Sequence, residues 1–438
     1  MTAWEVVAEV PVDPDTCSIY VEGWQSWSPS GVRRLADPAS VPADPNVIAL
    51  GYRADRPPGM FHQGEGLLAV APQARSEVHL FAGTGPESLP SIRAVPAGAV
   101  LRIEADGPVV HRTAAVGVDA ALADWAHAFA HEAGLREIRP APTVWCSWYQ
   151  YFTDVTAGDI LENVAAMDRL DLPIDVVQID DGYEREIGDW LHMSGRFDSL
   201  RGIADLIRGH GRRAGIWVAP FLVGERSELA ERHPRWLVPD IDAGQNWGQR
   251  LRVLDVTHPE AAQWLGEVFA TLRATAFDYF KIDFCYAGAL AGRRHEPMPA
   301  LAAYRVGLAL IREAIGDAYL VGCGAPTLGS VGMVDAMRVG PDTAAHYEPT
   351  DGDLSQPGQR SAEANGRARS WQHGRFWVND PDCLIARPAV ERREEWASHV
   401  ERFGGLRASS DRLTDLDAWG LATTRRLLSS VPPPVPFA

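Results

Sequence analysis

The chain has little cysteine and no excess of positive charge. Its five cysteines are widely spaced and form no CxxC or histidine-rich cluster, which argues against both a disulfide framework and a metal site. The formal net charge of −17 argues against nucleic acid as a partner, because binding phosphates requires a basic surface. A neutral or cationic small molecule remains possible as a ligand.

Long apolar runs are also missing. No stretch approaches the ~20 residues that a membrane-spanning helix needs. The N-terminus, MTAWEVVAEVPVDPD, lacks the basic start and apolar run of a signal peptide. We therefore expect a protein of the reducing cytoplasm with no membrane partner. No GxGxxG motif follows the first strand of the α/β region, which weakens a dinucleotide-binding interpretation.

Tryptophan, in contrast, is abundant. Several of the 15 tryptophans stand in short motifs, GWQSW, WCSWYQYF, GIWVAPF and GRFWVNDPD. Most tryptophans are core residues, but a flat ring at a strand end can also stack on the apolar face of a sugar. The motifs therefore favour a carbohydrate ligand.

Residues 1–137 are predicted to form a β-rich N-terminal domain. Short apolar runs, among them SIYVEGW, VIALGY, GLLAVAP, EVHLFAG and AVLRIEA, alternate with Pro, Gly and Asp clusters. This pattern is typical of a small antiparallel β-sandwich or part of one. A helix over residues 121–135 and a proline-marked linker follow, with the boundary near residue 138.

From Thr143 onwards, short apolar strands alternate with amphipathic helices, which indicates βα units around a parallel sheet. Eight such strands predict an α/β fold with a (β/α)8 (TIM) barrel over residues 138–430, followed by a tail over 431–438. An open, doubly wound sheet is the alternative. The strands are predicted at 143–148, 174–180, 214–220, 278–284, 318–324, 336–340, 375–380 and 406–410.

Polar and aromatic residues gather at the predicted carboxyl ends of these strands, where the active sites of such barrels lie. Carboxylates come from at least four strands, and like charges in one barrel mouth repel each other, so stability does not explain them. With no metal expected, such a mouth suits a polyhydroxyl ligand. The strand-end residues are Trp148, Tyr149, Asp180, Asp181, Trp217, Lys281, Asp283, Cys323, Arg338, Asp342, Asn379, Asp380 and Asp382.

Two of these carboxylates, Asp283 and Asp342, suit glycoside hydrolysis, which needs one carboxylate to attack and one carboxylic acid to protonate the leaving oxygen. Lys281 stands two residues before Asp283 in a strand, so both side chains point the same way and the lysine would keep Asp283 ionised. Asp342 would need a raised pKa to act as the acid.

Structural roles are the alternatives for several of these residues. Lys281 and Asp283 would also make an ion pair at a strand end, and Asp-Asp-Gly at 180–182 would also make a turn. Arg338 would also pair with Asp335.

Taken together, WCSWYQYF, QIDDGYEREIGDW, GIWVAPF, YFKIDFCYAGA, GCGAP, MRVGPDTA and GRFWVNDPDCL resemble glycoside hydrolase family 36 of clan D, in particular its shorter bacterial α-galactosidases. The likeness runs in the same order through about residues 143–430, and GWQSW resembles the tryptophan loop of the family's N-terminal sandwich. Two features depart from the family: only 22 residues precede GWQSW, and little follows the last predicted helix, where the family usually has a C-terminal β domain.

The resemblance implies hydrolysis of terminal α-galactosides with retention, through a covalent glycosyl-enzyme and without a cofactor. By motif position, Asp283 would be the nucleophile and Asp342 the acid/base. The sugar would be bound by Asp180 and Asp181 at O4 and O6, Lys281 near O3 and O4, Arg338 near O2, Cys323 close by, and apolar walls from Trp217 and from Trp24 or Trp27.

Other functions stay open from the sequence alone. A sugar hydroxyl in place of water would give galactosyl transfer, and more room beside O2 would admit an α-N-acetylgalactosaminide. A non-catalytic sugar-binding protein is disfavoured, because both Asp283 and Asp342 are present.

Overall fold

The computed structural model of the protein describes residues 3–39, 42, 44–115, 117–135 and 137–432. Within these ranges, antiparallel sheets form the N-terminal part, and an eight-stranded parallel sheet closes into a barrel in the remainder. The predicted fold class, a TIM-like barrel preceded by a smaller antiparallel β domain, is confirmed.

The N-terminal part consists of two facing antiparallel sheets whose buried side chains share one small core. One sheet has the strand order β1-β8-β7-β4 and the other β3-β2-β5-β6-β9. The strands are β1 (Glu5–Pro11), β2 (Ser18–Val21), β3 (Gly31–Arg34), β4 (His62–Glu65), β5 (Leu67–Ala71), β6 (Val78–Ala82), β7 (Ser91–Ala97), β8 (Val100–Ala105) and β9 (Val110–Ala114), and the helices are α1 (Pro45–Gly51) and α2 (Val118–Glu132).

The run VIALGY, predicted as a strand, forms helix α1 instead, so this prediction is wrong. Asp44 caps the helix by accepting a hydrogen bond from the Asn46 N–H, and Pro45 occupies the first turn, where its missing N–H costs nothing. The capping signal at 44–46 outweighs the weak strand preference of a short apolar run.

Strands and helices of the barrel mostly alternate, with a small three-stranded antiparallel sheet inserted after the third barrel strand and no α-helix between the fifth and the sixth. The strands are β10 (Thr143–Cys146), β11 (Val176–Ile179), β12 (Arg213–Val218), β13 (Leu222–Gly224), β14 (Gln245–Asn246), β15 (Gln249–Val253), β16 (Phe277–Ile282), β17 (Tyr319–Gly322), β18 (Ala336–Arg338), β19 (Val378–Asp380) and β20 (Arg407–Ser409). The helices are α3 (Trp148–Tyr151), α4 (Ala157–Arg169), α5 (Leu200–Gly209), α6 (Glu228–Arg232), α7 (Pro259–Ala274), α8 (Ala300–Ile315), α9 (Gln359–Ala368), α10 (Arg393–Phe403) and α11 (Ala418–Ser429).

The parallel sheet has the order β19-β18-β17-β16-β12-β11-β10-β20, and every strand predicted for the barrel is present. Its two edges meet at a seam between β19 and β20, where the N–H groups of Gly405 and Leu406 bond to the Asn379 carbonyl at 2.9 and 3.0 Å. Because all eight strands are parallel, their carboxyl ends open on one face of the barrel.

The strand and helix patterns explain why this barrel forms. All four residues of β11 are buried, as expected for a strand covered on both faces. Helix α4 buries Ile160, Val164 and Met167, which are three or four residues apart and so lie on one face. Thr156 and Asp159 form a capping box that fixes its first turn.

The predicted domain boundary near residue 138 falls between α2 and β10, where the structure has neither helix nor strand, and it stays a prediction. Residues 433–438 of the predicted tail lie outside the described residues. Among the described helices, none is long and apolar enough to cross a membrane.

A buried arginine joins the N-terminal sheets to the barrel. Arg369, which follows α9, is fully buried, and its Nε donates to the equally buried Glu22 at 2.7 Å. Its Nη atoms donate to carbonyls of the segment 23–28, including Ser26 at 2.7 Å and Ser28 at 3.1 Å. The guanidinium therefore holds the GWQSW loop against the barrel mouth.

Replacing Arg369 by methionine should lower the free energy of unfolding by about 3–5 kcal/mol, because Glu22 would be left as an uncompensated buried charge. Chemical denaturation measures the loss. Adding Glu22→Gln to this variant should recover part of it, whereas Arg426→Met, which breaks an exposed pair with Glu401, should cost about 0–1 kcal/mol. Equal losses for Arg369→Met and Arg426→Met would contradict the role assigned to Arg369.

Candidate active site

A cavity of about 470 Å³ opens at the carboxyl ends of the barrel strands. Barrel residues form its floor, while α1, the GWQSW loop and the β14–β15 hairpin form part of its wall. The lining residues are Trp27, Asn46, Val47, Leu50, Gly51, Trp148, Thr153, Asp180, Asp181, Trp217, Gln245, Asn246, Trp247, Lys281, Asp283, Phe284, Pro341, Asp342, Ser355, Gln356 and Pro357.

The carboxylate of Asp283, which follows β16 directly, is held from three sides. Lys281 Nζ lies 3.7 Å from its Oδ2, and the Trp217 indole N–H donates to the same oxygen at 3.1 Å. The backbone N–H of Phe284 donates to Oδ1 at 2.7 Å. Phe284 has a left-handed backbone with φ 49°, which turns the chain immediately after Asp283. The orientation of this carboxylate is therefore fixed.

Lys281 links two strands of the barrel mouth. Its Nζ also lies 3.1 Å from Asp180 Oδ2, which accepts a second hydrogen bond from Gln178 at 2.6 Å. Burial by itself lowers the pKa of Lys281, but the charges of Asp180 and then Asp283 outweigh burial and raise this pKa well above its usual value. The lysine therefore stays a cation between the two aspartates.

Asp181 has a different environment. The indole N–H of Trp247, at the tip of the β14–β15 hairpin, donates to Asp181 Oδ2 at 2.8 Å. Burial raises the pKa of Asp181. The pKa of Glu184 is raised well above its usual value, mainly by burial and secondly by the charge of Asp181. These shifts favour a proton shared by the two carboxyl groups.

Asp342 belongs to a second charge cluster, organised by Arg338. The buried guanidinium donates to Asp342 Oδ1 at 3.0 Å, and it contacts Asp380 at 3.3 Å and Asp382 at 2.8 Å. The Tyr149 hydroxyl also donates to Asp382. One cation thus joins three carboxyl groups at the ends of β18 and β19.

The pKa of Asp342 is shifted towards neutrality. Burial raises it to about 7, and the charge of Asp382 is the next largest cause, while Arg338 and Lys281 act in the opposite direction. A carboxyl group with this pKa can both donate and accept a proton near neutral pH.

Most of the residues predicted for the site lie together in the cavity: Trp27, Trp148, Asp180, Asp181, Trp217, Lys281, Asp283 and Asp342. Three predicted residues are not among the described lining residues. Arg338 lies behind Asp342, and Cys323 is fully buried. Trp24 faces the N-terminal part, where the Arg53 guanidinium lies 5.0 Å from its ring.

The structure also decides between the alternatives for Arg338. Asp335, its suggested structural partner, pairs instead with Arg139 at 2.5 Å and Arg312 at 2.8 Å. The predicted pairing of Arg338 with Asp335 is therefore wrong, and Arg338 instead contacts Asp342, Asp380 and Asp382.

Sequence reasoning missed several cavity residues. Trp247 lies in GQNWGQ, where an aromatic residue between two glycines was the available signal. Asn46, Val47 and Leu50 were missed because their segment was taken for a strand. The indole hydrogen bond from Trp217 to Asp283 was also not foreseen, since the ring was expected to act as an apolar wall.

In the part of the chain that the structure describes, no group of three or more His, Cys, Asp and Glu side chains is arranged to hold a metal ion. Three cavity carboxyl groups, those of Asp180, Asp283 and Asp342, are instead paired with Lys281 or Arg338.

Comparison with known proteins agrees with this geometry. Residues 120–317 match the family model described as Melibiase. The α-galactosidase AgaA of Geobacillus stearothermophilus is 27% identical over 154 residues, which cover 33% of this chain and 21% of that protein. An α-galactosidase of Escherichia coli is 28% identical over 114 residues, or 24% of this chain and 16% of that protein. The matched segments thus span about a fifth of these curated relatives.

Solved structures extend the likeness to nearly the whole chain. The α-galactosidase TtGalA of Thermus thermophilus, in complex with p-nitrophenyl α-D-galactopyranoside, has a TM-score of 0.84 and 26% identity, and the match covers 98% of this chain and 92% of that one. AgaA itself, at a TM-score of 0.66 and 15% identity over 96% of this chain and 61% of its own, shares the fold. Residues 120–317 thus match the melibiase family model, and nearly the whole chain shares the fold of solved α-galactosidases.

Proposed function

We propose that the protein is a retaining α-galactosidase of the cytoplasm that removes terminal non-reducing α-D-galactosyl residues from small oligosaccharides. The observation that carries this proposal is the unequal environment of two carboxyl groups in one cavity. Asp283 lies beside a lysine cation, whereas burial raises the pKa of Asp342 to about 7. An attacking carboxylate and a proton-donating acid require this difference.

In the first half of the proposed reaction, Asp283 attacks the anomeric carbon and forms a galactosyl ester, while Asp342 gives its proton to the glycosidic oxygen as that bond breaks. In the second half, Asp342 takes a proton from water. The water oxygen then attacks the anomeric carbon, which releases galactose and the Asp283 carboxylate. Two inversions give net retention.

The remaining residues hold the sugar and the reacting groups in this proposal. Asp180 and Asp181 bind hydroxyl groups of galactose, with Lys281 between Asp180 and Asp283. Trp27 and Trp217 provide aromatic surface, and the Trp217 indole orients Asp283. TtGalA, whose fold this chain shares, has been solved with an aryl α-galactoside and with stachyose, which supports a galactoside as the substrate.

Arg338 and Cys323 have supporting roles in this proposal. Arg338 is expected to orient Asp342 and to act near O2, with Cys323 behind the sugar.

All five cysteines are free thiols, which fits the reducing cytoplasm.

A panel of p-nitrophenyl α-glycosides tests the activity itself. We expect the α-galactoside to be hydrolysed faster than the α-glucoside and the α-N-acetylgalactosaminide, with α-galactose as the first product in the NMR spectrum. The β-anomer as first product would overturn the double displacement, and preference for another sugar would overturn the galactosidase assignment.

Asp283→Asn should lower kcat by at least ~10³-fold, because an amide cannot act as the nucleophile. Melibiose binding, followed by calorimetry, should persist. Asp278→Asn is the matched control: it lies on the same strand, pairs with Arg213 on the outside of the barrel, and should leave kcat within about twofold. Substantial turnover by Asp283→Asn would remove this residue from the nucleophile role.

The pH profile tests the acid. With melibiose, kcat/KM should fall as the pH rises through about 7, because Asp342 loses the proton that it must donate. Asp382→Asn should move this fall to lower pH, since the charge of Asp382 helps to raise the pKa of Asp342. A fall that stays in place or moves to higher pH would contradict the assignment.

A further inference from the structure

Glu184 is a buried carboxyl group to which the proposed reaction gives no role. It lies three residues after Asp181, in the loop that follows β11, and it is 6% exposed. It is not among the described residues that line the cavity. Because a buried carboxyl group is costly unless it is hydrogen-bonded, its contacts indicate what it does.

The side chain of Glu184 is directed at Asp181. The two carboxyl groups are hydrogen-bonded to each other, and Glu184 Oε2 also accepts from the Gly182 N–H at 3.2 Å. Gly182 has φ 118°, and a Cβ on it would lie 2.5 Å from the Thr153 carbonyl oxygen. A turn that only glycine fits therefore brings the two carboxyl groups together.

A hydrogen bond between two carboxyl groups needs a proton, because two carboxylates can only accept. No lysine, arginine or histidine among the described residues forms an ion pair with Asp181 or Glu184, and the nearby cation Lys281 contacts Asp180 and Asp283 instead. The charges of Asp180 and Asp283 also act on Asp181 and disfavour a further negative charge beside it.

The other polar groups around the pair supply no balancing charge. Arg196 donates to the backbone carbonyl of Gly182 at 2.8 Å. The Tyr183 phenol stays neutral, because burial and then the charge of Glu184 raise its pKa well above its usual value. One of the two carboxyl groups therefore holds a proton in the folded protein.

The contacts of Asp181 favour Glu184 as the group that holds it. The Trp247 indole donates to Asp181 Oδ2 at 2.8 Å, and such a donor stabilises the ionised form of a carboxyl group. The hydrogen bond within the pair acts in the same sense, since it lowers the pKa of Asp181, against burial, and adds to burial in raising the pKa of Glu184.

We propose that Glu184 is a positioning residue, a neutral acid that donates a hydrogen bond to Asp181 and so holds Asp181 as an oriented, ionised acceptor for the sugar hydroxyl groups. If Asp181 itself carried the proton, one of its oxygens would be a donor and could not accept from a hydroxyl group. The inference rests on the proposed binding of galactose by Asp181.

Competitive inhibition by D-galactose, measured from about pH 5 to about pH 9, where buried carboxyl groups titrate, tests this role. In the wild type, inhibition should weaken as the pH rises, because Glu184 loses its proton and then repels Asp181. Glu184→Gln keeps a neutral donor that does not titrate, so this part of the weakening should disappear. Titration of Asp342 is common to both proteins and cancels in the comparison.

Two variants separate the hydrogen bond from simple packing. At the pH where the wild type binds best, Glu184→Gln should keep the inhibition constant within about threefold. Glu184→Met keeps the length of the side chain but cannot donate, and it should raise this constant about tenfold, as for the loss of one hydrogen bond to a charged group.

Infrared difference spectroscopy reads the proton without any ligand. The C=O stretch of a neutral acid is separate from the carboxylate bands, so wild type minus Glu184→Gln should show a neutral-acid band near neutral pH. Glu186→Gln is the matched control on the same loop, where the carboxylate pairs with Arg226 at 3.2 Å. It should show no such band and leave galactose inhibition unchanged.

Equal losses of inhibition in Glu184→Gln and Glu184→Met would overturn the proposal, because packing or an ionised Glu184 would then explain the residue. The same pH dependence in wild type and Glu184→Gln would overturn it too, as would a difference spectrum without the neutral-acid band. A wild type that shows the band but binds no galactose would overturn the proposed function and leave the proton on Glu184 in place.

Discussion

Two buried cations, Lys281 and Arg338, let five carboxyl groups share one barrel mouth. Without them, the cost of burying these charges and their mutual repulsion would disfavour the folded state by several kcal/mol for each charge. The cations are distributed unevenly: Lys281 contacts Asp180 and Asp283, and Arg338 contacts three other carboxyl groups. Lys281 places a positive charge beside Asp180 and Asp283, whereas in the second cluster Asp342, with a pKa of about 7, can hold a proton near neutral pH. The five groups are Asp180, Asp283, Asp342, Asp380 and Asp382.

The two parts of the chain contribute different chemistry to the cavity. The barrel strands supply the charges, which need a rigid frame because their distances set their pKa values. The N-terminal part supplies Trp27 and the apolar side chains of α1, which Arg369 and the Asn46–Gln245 contact hold over the mouth. The wall of the cavity thus depends on packing between distant segments, while its floor depends on the sheet alone.

Of the ten non-glycine residues with positive φ in the described part of the chain, four lie at or beside this mouth. Trp247 and Phe284 line the cavity with left-handed backbones, Phe152 stands at its rim, and Asp382 contacts Arg338 with φ 88°. Such conformations lower stability and persist where the surrounding structure enforces them. Trp247 and Phe284 each direct a hydrogen bond to a cavity carboxylate, and Asp382 directs its charge to Arg338, which indicates that local stability is exchanged for the geometry of the cavity.

By itself, the sequence determined the eight barrel strands and the grouping of Asp180, Asp181, Lys281, Asp283 and Asp342 at one mouth. Both follow from local patterns, since strand periodicity and strand ends are written in consecutive residues. Only the tertiary structure decided that Trp24 and Arg338 stay off the cavity surface, that Trp247 reaches Asp181, and that α1 forms a wall. These outcomes depend on contacts between residues far apart in the chain, and a pKa such as that of Asp342 depends on burial and neighbouring charges that no local pattern encodes.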